Sequence, residues 1–141
     1  VLKSSDKKEI LNLLSLINKK ISKILDYLKP DYMILIGDRF ELIQFASAAL
    51  ISKINLIHIG GGELSYGSID NTVRYVLTKF SNYHFVSNSK YRERVIKLGE
   101  NPKNIYVVGG FGVDAIKKTK LLKRNELEKK LGFKRRFRMV R

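Results

Sequence analysis

The chain has 141 residues, 44% of them hydrophobic, and 28 Lys and Arg against 13 Asp and Glu give it a net charge of +15. That length suits one domain with a real core; no apolar run approaches the ~20 residues of a membrane helix, and the absence of cysteine excludes a disulfide frame and thiolate chemistry. Five of the positive charges lie in the last eight residues, KRRFRMVR, and the remaining +10 is scattered without a dense patch, so no nucleic-acid or membrane partner is expected and an anionic small ligand fits better.

Residues 1–6 contain no apolar leader core, and the chain starts at Val1 rather than at Met. With no cysteine, this fits a cytoplasmic setting. Residues 6–28 read as a long amphipathic helix, with Ile10, Leu13, Leu14, Ile17, Ile21, Ile24, Leu25 and Leu28 at 3/4 spacing. Asp6 and Glu9 form a capping-box pair, and Pro30 stops the helix. YMILIGD follows, an unbroken apolar run of the kind that a strand buried on both faces requires. The spacing then predicts a helix over 40–52, a strand over 55–59, a helix over 70–80, a strand over 83–87, a helix over 88–98 ending at Gly99, and a strand over 105–109. Short helical patterns close the chain at 112–118 and 124–131. Regular alternation with short connections is the mark of a parallel α/β sheet of Rossmann type.

In such sheets ligands bind beyond the carboxyl ends of the strands. Asp38 follows the first strand, Glu63 follows the second after Gly60, Gly61 and Gly62, and Asp70 opens the next helix on the same edge. Two readings stand open for Asp38 and Asp70: helix caps, or members of a carboxylate set that divides acid and base roles in one cleft. Glu63 is harder to explain as a cap, because a triple glycine needs a reason to precede it. His58 and His84, each inside an apolar strand, read as core histidines. Arg39 and Arg74, taken singly, read as surface charges, yet both sit beside this edge and are suited to holding phosphate. A second glycine stretch, VVGGFGVDAI, sets Gly110, Gly112 and Ala115 in a G-x-G-x-x-A pattern after a strand. No acidic residue follows at the distance a ribose contact needs, so a tight turn competes with a ligand loop whose amides line the cleft.

Three stretches, KPDYMILIGDRFE, HIGGGELSYGSIDNTVRYVLTKFSNYHFVS and ENPKNIYVVGGFGVDAI, together resemble the hydrolysing UDP-N-acetylglucosamine 2-epimerases, and within them the branch that feeds sialic and legionaminic acid synthesis. The resemblance runs over roughly residues 3–131 with motif order and spacing kept. It implies a glycosyltransferase-B-like fold of two Rossmann-like domains with the site between them. Residues 1–133 then correspond to a partial N-terminal domain, entered after the family's first strands, and residues 134–141 to a basic, aberrant-looking tail where the family has an apolar strand. It also implies elimination of UDP from a UDP-N-acetylhexosamine followed by hydration to the C2-epimeric free sugar, with no cofactor, in an enzyme that is a homo-oligomer at full length. A fragment of this extent is expected to be inactive alone. By motif position Asp38, Glu63 and Asp70 match the catalytic carboxylates, and Arg39, Gly61, Gly62, Arg74, Gly110 and Gly112 fall at substrate-binding positions. The sequence departs from the family's pattern at Gly60, Asn71 and Tyr75, where many relatives carry Glu, Asp and His. The rival readings are a glycosyltransferase-type half-domain and a non-catalytic basic binding module.

Overall fold

The computed structural model describes residues 7–132, so Asp6 of the expected capping box and the tail at 134–141 lie outside the described residues. The chain divides into two units, Val1–Gly109 and Gly110–Arg141. In the first, helix α1 (Lys7–Leu28) leads into β1 (Tyr32–Ile36), α2 (Leu42–Ile51), β2 (Asn55–Ile59), α3 (Asp70–Phe80), β3 (Tyr83–Val86), α4 (Ser89–Lys97), a 3-10 turn (Pro102–Asn104) and β4 (Ile105–Val107). The second holds α5 (Phe111–Lys118) and α6 (Arg124–Leu131), neither of which buries a residue. Element types agree with the sequence expectations, and the boundaries differ by one or two residues.

The four strands form one parallel sheet in the order β1-β2-β3-β4. Each strand follows its neighbour directly, so right-handed crossovers carry α2, α3 and α4 to the same face. The register shows the consequence. Leu35, His58, His84 and Ile105 are cross-strand partners and are all buried beneath the helices. One step along, Ile36, Ile59, Phe85 and Tyr106 form the matching row on the other face, where Ile36 is 61% and Tyr106 44% exposed.

The main core joins Leu35 and Leu56 of the sheet to Ala46 and Ala49 of α2 and Val73 and Leu77 of α3. The two alanines let α2 approach the sheet closely. Leu77 is fully buried, and truncating it to Ala should cost about 2–5 kcal/mol. Val86, Val95 and Ile105 make a smaller core under α4.

Two expectations are corrected here. β1 is covered on one face only: Tyr32, Ile34 and Ile36 are exposed, because every crossover lies on the opposite side. Of the apolar stripe on α1, only Ile21 and Leu25 are buried, and Ile24 and Leu28 project outward. The helix packs chiefly on α2, so much of a stripe running its whole length finds no matching surface.

Candidate active site

Three loops leave the carboxyl ends of β1, β2 and β3 at one edge of the sheet, and a single side chain ties two of them together. Arg74, on α3, is 4% exposed. Its Nη2 pairs with Asp38 Oδ2 and lies 3.2 Å from Ser65 Oγ, while its Nη1 donates to the Glu63 carbonyl at 2.8 Å and to Asn71 Oδ1 at 3.2 Å. Asn71 also accepts from the Ser65 amide at 2.7 Å. The guanidinium thus uses its planar fork of donors against four acceptors on three segments. Its Nε is buried and has no hydrogen-bond partner among the described residues. Taken singly it read as a surface charge; it is a buried anchor instead, and the loop over 60–69 between β2 and α3 gains a fixed course from it.

Asp38 is oriented from both sides. Its carboxylate meets Arg74, and Gly37, just before it, is held by His58. His58 Nε2 lies 2.8 Å from the Gly37 carbonyl and its Nδ1 lies 3.2 Å from Thr78 Oγ1. The carbonyl demands an N–H, so Nε2 carries the proton and the Thr78 hydroxyl donates to Nδ1. Burial lowers the pKa of His58 to about 4, against the opposing pull of the Gly37 carbonyl, so the ring is neutral. His58 is a satisfied core histidine, as the sequence reading held, and it also positions the turn that presents Asp38. Asp38 does not cap α2: that helix starts at Leu42 behind Glu41 with no side-chain cap.

The triple glycine has a packing cause. Gly62 has φ +78°, and a Cβ there would meet Tyr91 Cα at 3.0 Å and overlap the Tyr91 carbonyl. A Cβ on Gly61 would press on Thr78 Oγ1 at 3.3 Å and His58 Nδ1 at 3.4 Å. The loop therefore lies directly against α4 and the buried histidine, with no room for a side chain at Gly62 and little at Gly61, while Gly60 answers to its positive φ of +93°. Arg94 of α4 clamps it further, donating to the Gly62 carbonyl at 3.0 Å while stacking over Tyr91. Glu63 emerges half-buried from this turn, and Ser87 at the end of β3 donates to its Oε1 at 3.4 Å.

Asp70 is half-buried in the first turn of α3 but is not its cap: the helix follows Ile69 with no side-chain cap, and Ser68 Oγ accepts the Asp70 amide at 3.1 Å. A carboxylate in a first turn is still favoured by the helix dipole. Arg39 is exposed and pairs with Glu41 at 2.8 Å. That hydrogen bond raises the Arg39 pKa, with a smaller contribution from the charge of Asp70, and lowers that of Glu41. The structure thus joins Asp38, the Glu63 backbone and Arg74 in one network, with Asp70 one helical turn before Arg74. Gly110 and Gly112 belong to the second unit, where neither has positive φ and Gly112 has open space around it; the left-handed glycine of that stretch is Gly109, at φ +83°. A hollow of about 360 Å³ between Leu25, Pro30 and Ile54 opens at the opposite, amino edge and touches none of these carboxylates.

The family model for UDP-N-acetylglucosamine 2-epimerase matches residues 1–140. The chain belongs to this family. A hydrolysing GDP/UDP-N,N'-diacetylbacillosamine 2-epimerase of Campylobacter jejuni is 37% identical over 95% of the chain, and the polysialic acid biosynthesis protein P7 of Escherichia coli is 38% identical over 72%. These alignments take in 35% and 26% of the relatives, so the chain spans about a third of their length or less. Among solved structures, the UDP-GlcNAc 2-epimerase of Neisseria meningitidis bound to UDP-GlcNAc superposes with a TM-score of 0.73 at 18% identity, over 96% of this chain and 38% of its own. That likeness shows a shared fold, consistent with part of an N-terminal Rossmann-like domain.

Sequence reasoning missed Ser65, Ser87 and Arg94 as supports of the epimerase-like edge. The only signal was position: Ser87 closes a strand one place from Glu63 in the sheet, and Arg94 lies one helical turn after Tyr91 on the face toward the glycines.

Proposed function

We propose that the chain is the carboxylate-bearing part of a hydrolysing UDP-sugar 2-epimerase acting on a UDP-linked 2-acetamidohexose for nonulosonic acid synthesis of the sialic or legionaminic kind. One observation carries the reading: Arg74 holds Asp38 and the Glu63 backbone at one sheet edge, the edge where open parallel sheets bind ligands. A base among Asp38, Glu63 and Asp70 removes the proton on sugar C2 as the C1–O bond to UDP breaks, leaving a C1=C2 double bond. Water then adds hydroxyl to C1 and a proton returns to C2 from the other face, which gives the free epimeric sugar. Arg74 acts through Asp38 as a positioning residue. Arg39, exposed and held in a surface pair, is a cation able to exchange Glu41 for the diphosphate. The buried Gly61 and Gly62 set the course of the loop that carries Glu63. The names of the Campylobacter and Escherichia relatives support the acetamido sugar and the sialic branch. In this reading the enzyme works in the cytoplasm, as a homo-oligomer at full length, and the chain by itself turns over no substrate because groups that orient the nucleotide and exclude water lie outside it.

The test replaces the matched stretch of the Campylobacter relative with the corresponding residues of this chain. In D2O the graft should release UDP and incorporate deuterium at C2. Asp38→Asn, Glu63→Gln and Asp70→Asn should each cost on the order of 10²-fold or more in turnover. Near-normal rates in all three, or UDP release without deuterium at C2, would overturn the assignment. Rapid UDP release by the isolated chain would overturn its proposed inactivity.

A further inference from the structure

The loop over 60–69 has two halves that the fold treats differently. Gly60 to Ser65 are buried or half-buried, whereas Tyr66, Gly67, Ser68 and Ile69 are all exposed. Both ends of this four-residue tip are fixed. The Ser65 amide donates to Asn71 Oδ1 at 2.7 Å, and Ser65 Oγ lies 3.2 Å from Arg74 Nη2. At the other end Ser68 Oγ accepts the Asp70 amide at 3.1 Å, and the Ile69 carbonyl accepts the Val73 amide at 3.1 Å as α3 begins. Gly67, at φ +75°, turns the chain within the tip.

A solvent-facing turn is ordinarily made of small and polar residues, yet two of these four side chains are large and apolar. Tyr66 is 88% and Ile69 66% exposed, and Tyr66 is the most exposed large hydrophobic residue among the described residues. One exposed tyrosine on a surface needs no explanation. Two apolar side chains on an anchored tip are different. The anchors stop the tip from folding back to bury them, and they spare a ligand the cost of ordering it.

The neighbours of the tip say what it faces. Glu63 lies three residues before it, and Asp70 follows it directly. Asp70 stands close enough to Arg39 for its charge to raise the Arg39 pKa, behind the larger effect of Glu41. On the epimerase reading, Glu63 and Asp70 belong to the set that handles the proton on C2, and Arg39 meets the diphosphate on C1. The other substituent on C2 is the acetamido group, whose outer end is a methyl. A tip bounded by those two carboxylates, with the diphosphate cation beside it, is placed for that group. A phenol ring with a branched aliphatic chain is the kind of surface that favours a methyl.

We infer that Tyr66 and Ile69 are the acyl-recognition element of this site: they receive the methyl of the 2-acetamido group and set the preference for an acetyl over a shorter acyl substituent. They move no proton; their part is to bind and select. The inference rests on the epimerase reading for the carbon that carries the acyl group. Such a contact holds ground state and transition state alike, so losing it raises KM and spares kcat.

The test uses the Campylobacter graft with UDP-N,N'-diacetylbacillosamine and with the analogue that carries formyl in place of acetyl on the C2 nitrogen, the two differing by one carbon. The graft should favour acetyl by roughly tenfold in kcat/KM, the low end of what one carbon in an apolar site supplies. The same preference should appear in Kd by calorimetry, with Glu63→Gln added to suppress turnover. Tyr66→Ala and, separately, Ile69→Ser should each cut the preference by about threefold or more, through KM, with kcat held within about twofold. Tyr66→Phe should keep it, because the ring rather than the hydroxyl makes the contact. Tyr27→Ala, which removes a ring 86% exposed on α1, should leave it unchanged. An unaltered preference in both Tyr66→Ala and Ile69→Ser, or a fall in kcat with no change in preference, would overturn the inference. So would a graft that binds both nucleotides equally well, whatever its turnover. A Tyr66-dependent preference in Kd without UDP release would leave the acyl contact standing and bring down the epimerase reading instead. Failure to bind either nucleotide would overturn both.

Discussion

The two ends of the sheet each bury a basic side chain beside a carboxylate, and they treat it differently. At the carboxyl edge Arg74 meets four acceptors and draws two loops and a helix into one network. At the amino edge His84 of β3 is fully buried, its Nε2 lies 3.4 Å from Glu100 Oε2, and among the described residues neither ring nitrogen meets hydrogen-bond geometry. Burial lowers the His84 pKa, with the Glu100 charge opposing it. Glu100 instead accepts a hydrogen bond from Lys79 Nζ, at 2.5 Å. The difference teaches where rigidity is placed. The edge that carries Asp38 and Glu63 has its cation bonded to four acceptors and its loops pinned, whereas the opposite edge leaves a neutral ring in contact and an ion pair half in water.

The largest break in that contrast should come from Arg74→Met. It leaves Asp38 and a carbonyl without their donor and should lower unfolding free energy by about 3–5 kcal/mol in urea titrations followed by circular dichroism. Arg74→Lys should recover little of it, since one ammonium cannot reach acceptors on three segments. A loss under about 1 kcal/mol for Arg74→Met would show that the network is decorative.

Acid should weaken the protein through its histidines next. Unfolded histidine takes up a proton near pH 6.5, whereas His58 in the fold does so only near 4. Between these values the unfolded state binds more protons, so stability falls as pH drops from about 6.5 to about 4, by on the order of 3 kcal/mol from His58; His84 acts in the same direction. His58→Gln should flatten the pH dependence of the melting temperature in that window relative to the unsubstituted chain. An unchanged slope would mean that His58 is charged in the fold.

A glycine pair isolates packing from backbone strain. Gly62 and Gly67 both have positive φ, +78° and +75°, but only Gly62 faces an obstacle. Gly67→Ala should cost about 1–2 kcal/mol for the left-handed backbone, and Gly62→Ala about 1–3 kcal/mol beyond that for overlap with Tyr91. Equal losses would remove the packing argument for the triple glycine. The smallest effect belongs to the amino edge: Lys79→Ala removes a partly exposed ion pair and should cost about 0.2–1 kcal/mol. A larger loss would mean that the pair also supports His84.

Much of the scaffold was legible in the amino-acid order, because periodicity reports which face of an element meets apolar surroundings. NLIHI and the helix over 70–80 have the boundaries that their spacing predicts. The parallel order of the sheet follows from alternation and short connections, and Asp38, Glu63 and Asp70 fall at one edge because strand ends do. Local pattern failed where the deciding partner is distant in the chain. Arg74 looks like a surface charge until α3 brings it to Asp38, 36 residues earlier. Asp38 looks like a cap until that guanidinium claims it. YMILI looks like a strand buried on both faces; only the fold shows that every helix of the first unit lies on the other side. Local sequence sets what each residue requires of its surroundings, while long-range packing alone decides which partner meets the requirement, because the energy of a buried charge or a bare apolar face depends on groups that no short window contains.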